Sequence, residues 1–254
     1  MRKFDWKPKF DKRSLDYGIR TILPKGSVTK KRVVWKTGPV LDQGSEGACV
    51  GFGWMGEFLA DPVPPSKPIS SLQGNRLAFR YYKEAQKIDQ WPGEEYSGTS
   101  VLAGAKTMQA NGYISGYRWC FSLSELKEAV ISEGPVVIGV NWYASMYSAP
   151  NGLVKISGEQ VGGHCILVVG YDPAKLINGR KTEAFLWRNS WGESYGIKGS
   201  AWITARDLQK LISERAEMCV PIGRTDPSSP RSLSRQKAFN LLTLLELLRS
   251  LFTR

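Results

Sequence analysis

The sequence contains little histidine and cysteine, and it has no long apolar run. His164 is the only histidine, which excludes a zinc site with two or three histidine ligands. The four cysteines, Cys49, Cys120, Cys165 and Cys219, include no C-x-x-C pair. No run reaches the ~18 apolar residues of a membrane span, and the first residues lack the apolar core of a secretory signal. We therefore expect free thiols, no metal site, no cofactor, no transmembrane segment and a cytoplasmic or virion-associated protein.

Positive charge is concentrated at the two ends of the chain. The 254 residues include 35 basic and 23 acidic ones, for a formal net charge of +12. Residues 1–36 hold twelve basic and three acidic residues, whereas 37–220 are close to neutral. This distribution predicts a basic N-terminal arm over 1–36, lying on the body or on a polyanionic or acidic partner, and a globular body over 37–220.

The C-terminal residues differ from the body in composition. Residues 221–234 are rich in proline and serine, which is typical of a linker. Residues 235–254 predict a strongly apolar helix with one polar stripe. We expect this helix to pack on its own protein or on a protein partner. The alternative is a helix that lies in a membrane interface without spanning the bilayer.

Helical patterns precede strand patterns within the body. Helices are predicted after the Gly-rich turn that ends at Cys49, and over 71–88, 98–113 and 122–135. Short runs rich in Val, Ile and Trp predict strands within 135–143, 164–172, 183–191 and 199–205. This order predicts an α+β fold with two segregated halves.

Three glycines in the first helix match a dinucleotide-binding fingerprint, G-x-G-x-x-G. They are Gly51, Gly53 and Gly56. A true fingerprint follows a strand and is followed about 20 residues later by an acidic residue, and neither feature is present. Close packing of the helix is the better explanation for these glycines.

Three residues suggest nucleophilic catalysis by a thiol. Cys49 lies where a Gly-rich turn enters a helix, and a helix N-terminus lowers the pKa of a thiol. His164 precedes an apolar strand, and Asn189 follows another strand, so each could belong to a Cys–His–Asn set. A lone cysteine or histidine is more often an ordinary buried residue. The catalytic interpretation therefore depends on the order and the sequence context of these three residues.

The segments around these residues resemble those of the papain family of cysteine peptidases. Residues 43–49, QGSEGAC, are similar to the family's active-site segment, Q-G-x-C-G-x-C-W. Gly163-His164 with the following ILVVGYD, and residues 189–192, NSWG, are similar to its histidine and asparagine segments. The resemblance covers residues 37–207. It implies a helical half and a β-barrel-like half with the active-site cleft between them, as in small bacterial and viral members.

The resemblance also implies roles for individual residues. Cys49 would be the nucleophile and His164 the general acid and base, together forming a thiolate–imidazolium pair. Asn189 would orient His164, Trp191 would shield their hydrogen bond, and Gln43 would complete an oxyanion hole with the N–H of Cys49. The substrate would be a peptide or protein. Gly139, Gly163 and Cys165 would line the pocket for the second residue before the cleaved bond, and Gly98 would pair with the substrate backbone.

The chain departs from the family pattern at three points. Glu46 stands where the family has its first cysteine, and Val50 stands where it has an aromatic residue. The residues before Cys49 are too few for a long inhibitory pro-segment. Three functions therefore stay open: a cysteine endopeptidase, an assembly component, for example of a virus particle, that uses the fold as a scaffold, and an amidase acting on cell-wall peptide cross-links.

Overall fold

The computed structural model describes residues 2–9, 11–23, 31–88 and 98–226. One half of the body consists of α1 (Cys49–Phe58), α2 (Ser71–Ile88) and α3 (Val101–Ala110). The range of α2 is the predicted one. The Ser100 side chain caps α3 by accepting from the Ala103 N–H at 3.1 Å, which satisfies one of the free donors at the helix start.

The other half is an antiparallel sheet. Its strands are β1 (Val33–Val34), β2 (Gly116–Trp119), β3 (Val136–Tyr143), β4 (Gln160–Ile177), β5 (Arg180–Arg188), β6 (Ser200–Thr204) and β7 (Glu217–Ile222). They lie in the order β2-β7-β3-β4-β5-β6, with β1 paired to β4. The α+β class and the papain-like division are confirmed. Among the described residues, however, β2 and β6 are edge strands, so the expected barrel-like half is an open sheet.

Apolar residues on the two faces of the sheet form two cores. Ile166 and Val168 of β4 belong to the core that includes α4 (Leu123–Ser132) and α5 (Ala205–Ser213). Cys165 and Leu167 belong to the core with α1, α2 and α3. This alternation follows from the two-residue period of a strand covered on both faces. The helix α5 was not predicted, and it interrupts the expected succession of helices and then strands.

Glycines allow α1 to pack closely on its neighbours. A Cβ at Gly51 would lie 2.3 Å from the Ala78 carbonyl oxygen of α2, and one at Gly53 would lie 2.8 Å from the Cys165 Sγ of β4. Both positions therefore require glycine, which supports the packing interpretation over the dinucleotide fingerprint. The close approach also brings the first turn of α1, which starts at Cys49, against β4.

The described part of the basic arm lies on the body. Its strand β1 pairs with β4, and Arg20 forms an ion pair with Glu128 of α4. The Trp35 indole donates to the Val130 carbonyl oxygen at 2.7 Å. These contacts agree with an arm that packs on its own protein and do not test a polyanionic partner.

The packed body extends past the predicted boundary at residue 220. Strand β7 continues to Ile222, and the Arg224 guanidinium donates to the buried Glu57 carboxylate at 2.5 Å. Residues 227–254, with the predicted C-terminal helix and most of the predicted linker, are outside the described residues. None of the helices described has the length and apolarity needed to cross a membrane.

Candidate active site

The helix α1 begins at Cys49, which is fully buried. The preceding turn contains Gly44 at φ +62°, a backbone conformation that glycine adopts readily. Main-chain groups of Asp5, Cys165 and Val50 lie near the Cys49 sulfur and act to lower the pKa of its thiol. The thiol therefore lies beside Cys165 of β4, which is the residue after His164.

His164 and Asn189 come together because β4 and β5 are neighbours, with Leu167 opposite Arg188. The His164 Nε2 lies 2.8 Å from the Asn189 Oδ1, and the same oxygen accepts from the Ser190 N–H at 2.7 Å. Because an amide oxygen only accepts, Nε2 carries the proton and Nδ1 is the basic nitrogen. Among the described residues Nδ1 has no hydrogen-bond partner, and the Cys49 thiol is not bonded to it in this closed conformation.

Aromatic rings enclose the histidine. The ring centroids of Trp142 and Trp191 lie 4.6 and 4.8 Å from that of His164. Trp191 is 3% exposed and Asn189 is 2% exposed. These rings keep water from the His164–Asn189 hydrogen bond, which is the place that the resemblance implied for Trp191.

Gln43 is held on both sides of its amide. Its Nε2 donates to the Glu46 carbonyl oxygen at 2.7 Å, and its Oε1 accepts from the Ser190 hydroxyl at 2.7 Å. The Gln43 main-chain N–H also donates to the Ser190 carbonyl oxygen at 2.9 Å. The amide is thus fixed on the loop before α1, and its second Nε2–H remains for a further acceptor.

Burial shifts the pKa values of both reactive groups toward their neutral forms. It raises the pKa of the Cys49 thiol to about 11 and lowers the pKa of the His164 imidazole to about 4. The Asn189 hydrogen bond opposes the shift of the His164 pKa, and the Arg2 charge adds to it. In this conformation a neutral thiol and imidazole are therefore favoured at neutral pH, rather than the thiolate–imidazolium pair that the resemblance implied.

The cause of this burial is the start of the chain itself. Residues 2–9, here named the cleft segment, lie across the site. The Asp5 carbonyl oxygen accepts from the Thr99 N–H at 3.0 Å, and the Trp6 N–H donates to the Gly163 carbonyl oxygen at 3.1 Å. The Lys7 N–H donates to the Thr99 carbonyl oxygen at 3.1 Å, and the Trp6–Thr99 bridge is parallel. The cleft is closed by the chain's own residues.

The proposed substrate-binding residues meet around this segment. A Cβ at Gly98, which has φ +93°, would lie 2.4 Å from the Asp5 carbonyl oxygen. A Cβ at Gly139 would lie 2.2 Å from the Trp6 Nε1, and one at Gly163 would lie 2.6 Å from the Trp6 ring. Cys165 pairs with Gly139 across β3 and β4. The structure therefore brings these four residues to one groove, with the cleft segment in it.

Sequence reasoning missed Asp5, Trp6 and Glu217. The Trp6 indole donates to the Glu217 Oε2 at 2.8 Å. An acidic residue at the start of the apolar run EMCVPI was a usable signal for Glu217, whereas the basic arm carried no pattern that pointed to Trp6. The four cysteines are free, as predicted, and the described residues contain no cluster suited to a metal ion.

A family model described as papain family cysteine protease matches residues 74–220, more than half of the chain. The chain belongs to the papain family. The matched range contains His164 and Asn189 and begins after Cys49, so the placement of Cys49 depends on the active-site segment and on the geometry given above.

Papain-family proteins with similar sequences come from plants and animals. Cysteine proteinase 1 of Zea mays is 26% identical over 196 residues, which cover 64% of this chain and 52% of that protein. Cathepsin K of Gallus gallus is 27% identical over 197 residues, which cover 68% of this chain and 56% of that protein. The chain spans about half the length of these papain-family relatives.

Solved papain-like structures show the same fold. Xylellain, a cysteine protease from Xylella fastidiosa, superposes with a TM-score of 0.60 at 21% identity and covers 89% of this chain and 98% of its own. The bromelain protease of Ananas comosus gives a TM-score of 0.55 at 17% identity and covers 78% and 100%. Both likenesses concern the fold, which they share over more of the chain than the family match covers.

Proposed function

We propose that this chain is a papain-like cysteine endopeptidase that cleaves peptide bonds through an acyl-thioester on Cys49. The His164–Asn189 hydrogen bond is the observation that carries the proposal, because it occupies Nε2 and leaves the basic Nδ1 for a thiol at the start of α1. Membership of the papain family supports the same chemistry.

Acylation begins with transfer of the Cys49 S–H proton to the His164 Nδ1. The sulfur forms a bond to the substrate carbonyl carbon, and the oxyanion accepts hydrogen bonds from the Cys49 N–H and the Gln43 Nε2. The C–N bond then breaks, and the proton on Nδ1 passes to the leaving amine. Asn189 keeps the imidazole in position during both transfers.

Deacylation reverses the roles of the same groups. Water gives a proton to the His164 Nδ1 while its oxygen forms a bond to the thioester carbon. The C–S bond breaks, the carboxylic product leaves, and the proton returns to the Cys49 sulfur. Loss of one oxyanion donor typically costs about 10²–10³ in rate, which sets the expected effect of Gln43→Ala.

Hydrolysis requires the cleft segment to leave, because a substrate and Asp5 cannot occupy the same place beside Cys49. In the proposed assignment the substrate chain passes, in its N-to-C direction, from the pocket at Gly139 to the thiol. In the cleft segment Trp6 fills that pocket and Asp5, which precedes it, lies at the thiol. The segment therefore runs opposite to a substrate, so its own peptide bonds are not presented for cleavage.

Peptide hydrolysis by the full chain tests the proposal. Cys49→Ala should abolish turnover and labelling by a thiol-directed epoxide inhibitor, whereas Cys120→Ala, which removes another buried thiol, should retain both. Equal turnover in the Cys49→Ala chain would overturn the proposal.

The two alternatives lack a comparable observation. The relatives described above are named as proteinases or proteases, and their names support neither an assembly scaffold nor a cell-wall amidase. The scaffold alternative depends on the basic arm and the predicted C-terminal helix as docking elements, and the residues of that helix lie outside the described ones.

A further inference from the structure

A buried tyrosine lies beside the His164–Asn189 pair. Tyr195 is 4% exposed, and its ring meets that of Trp191 edge to face, with the ring centroids 5.5 Å apart. Its main-chain carbonyl oxygen accepts from the Gly199 N–H at 2.9 Å, and the Gly199 carbonyl oxygen accepts from the Asn189 N–H at 2.9 Å. These main-chain hydrogen bonds hold Tyr195 next to Asn189.

Three buried polar groups meet at the Tyr195 hydroxyl. Burial raises the pKa of this hydroxyl, and the side-chain N–H groups of Trp187 and Asn189 lie close enough to oppose the rise. Trp187 and Asn189 are themselves 0% and 2% exposed. Among the described residues, the Tyr195 hydroxyl, the Trp187 Nε1 and the Asn189 Nδ2 have no hydrogen bond of regular geometry in this closed conformation. Two buried donors thus share one nearby oxygen, and a hydroxyl oxygen has two lone pairs to accept from both.

The orientation of the Asn189 amide decides which nitrogen of His164 carries the proton. The Asn189 Oδ1 accepts from the His164 Nε2–H and from the Ser190 N–H. A half-turn of the amide would place its Nδ2 at the His164 Nε2 instead. Because an amide nitrogen only donates, the imidazole would then carry its proton on Nδ1. That nitrogen could no longer take the proton of the thiol.

We propose that Tyr195 is a positioning residue, whose hydroxyl oxygen accepts from the Asn189 Nδ2–H and so keeps the amide oxygen toward His164 during catalysis. The Ser190 N–H holds the oxygen of the amide, and Tyr195 holds its nitrogen. Hydrogen bonds of a catalytic site are often long before the substrate binds and shorten in its complex, which accounts for the loose contact in the closed conformation. The proposal rests on the proposed peptidase function.

The chain's single histidine makes the tautomer directly measurable. Nitrogen-15 NMR of the full chain, labelled at histidine and carrying no histidine tag, reports on His164 alone. In the unaltered chain we expect the Nε2–H tautomer. In Tyr195→Phe we expect a measurable share of the Nδ1–H tautomer, with the fold checked by circular dichroism. Identical tautomers in the two folded chains would overturn the proposal.

Peptide hydrolysis gives a second readout of the same substitution. Tyr195→Phe should lower kcat for a fluorogenic peptide by about three- to tenfold, the effect of one hydrogen bond, and leave KM unchanged. Tyr171→Phe is the matched control, because it removes another buried tyrosine hydroxyl, which donates to Glu183 at 2.6 Å. This control should change neither kcat nor the tautomer. Equal losses of kcat in the two variants would overturn a specific role for Tyr195.

An Asn189→Ala background tests whether Tyr195 acts through the amide. There Tyr195→Phe should have no further effect on kcat or on the tautomer, because its partner is missing. A further loss of kcat as large as in the Asn189-containing chain would overturn positioning through Asn189.

The tautomer measurement also separates this inference from the proposed peptidase function, since it needs no turnover. A tautomer that depends on Tyr195 in a chain that cleaves no peptide would overturn the peptidase and keep the positioning role. Peptide cleavage by the unaltered chain, with identical tautomers in Tyr195→Phe, would overturn the positioning role and keep the peptidase.

Discussion

Two residues of the cleft segment, Arg2 and Trp6, are held in different ways. The Arg2 guanidinium bonds to the Asp42 carboxylate at 2.5 Å, where 45% of the Asp42 side chain remains exposed. Trp6 is 4% exposed, and its indole donates to the buried Glu217. An exposed ion pair contributes about 0–1 kcal/mol, whereas removal of a buried Trp side chain from a core typically costs about 3–5 kcal/mol.

This difference shows which of the two residues contributes more to closing the cleft. Phe4 lies between Arg2 and Trp6 in sequence and is half-buried, with its ring 5.9 Å from those of His164 and Trp191. The closed conformation should therefore depend most on Trp6, less on Phe4 and least on Arg2. Substitution at each position measures this order through the rate of peptide hydrolysis.

Trp6→Ala is expected to have the largest effect. It removes the indole from its pocket and the hydrogen bond to Glu217, so the open conformation becomes more populated. We expect the initial rate of peptide hydrolysis at neutral pH to rise by about tenfold or more. The fold should persist, because the sheet and the helices do not depend on this side chain, and circular dichroism checks this.

Lys3→Ala is the matched control for this prediction. Lys3 is an exposed residue of the same segment, and its removal should leave the rate unchanged. A folded Trp6→Ala chain that hydrolyses peptides no faster than Lys3→Ala would show that Trp6 does not hold the cleft closed.

Phe4→Ala is expected to raise the same rate by about threefold, since aromatic interactions of this kind contribute about 0.5–1.5 kcal/mol. The substitution removes a ring that packs near His164 and Trp191, at the middle of the segment. Initial rates with one fluorogenic peptide measure the effect. An increase as large as that of Trp6→Ala would show that Phe4 and Trp6 contribute equally to closing the cleft.

Arg2→Ala is expected to raise the rate by about twofold, because the ion pair with Asp42 is partly exposed. Salt weakens such a pair, so added salt should raise the rate of the unaltered chain slightly and leave Arg2→Ala unaffected. Rates measured across a salt series test both statements. If salt changed the rates of both chains equally, the salt effect would come from charges other than the Arg2–Asp42 ion pair.

The local parts of the site could be predicted from the sequence. The sequence places Cys49 where a Gly-rich turn enters a helix, and α1 begins at that residue. The pairing of His164 with Asn189 needed the family resemblance as well, because it depends on two strands becoming neighbours in the sheet.

The long-range parts could not be predicted in the same way. The cleft segment joins the body through two main-chain hydrogen bonds to Thr99 and one to Gly163, and no repeat or periodicity in residues 2–9 encodes them. The nine-residue helix α5 was missed although its signal is local: the Thr204 side chain caps it, and Leu208 and Leu211 recur at helical spacing. The open edges of the sheet depend on which strands pair, which composition does not determine.

The reactivity of Cys49 tests the central claim, that residues 2–9 bury this thiol, the proposed nucleophile, and keep it unreactive. The measurement is the rate of alkylation by iodoacetamide across a pH series, read by mass spectrometry at Cys49, in the unaltered chain and in Trp6→Ala. Burial is the main cause of the raised thiol pKa, so the unaltered chain should label slowly at neutral pH, with a midpoint near the thiol pKa of about 11. In Trp6→Ala water reaches the sulfur, and the midpoint should fall by about one pH unit or more, with faster labelling at neutral pH. Identical midpoints and rates in the two chains would contradict the account.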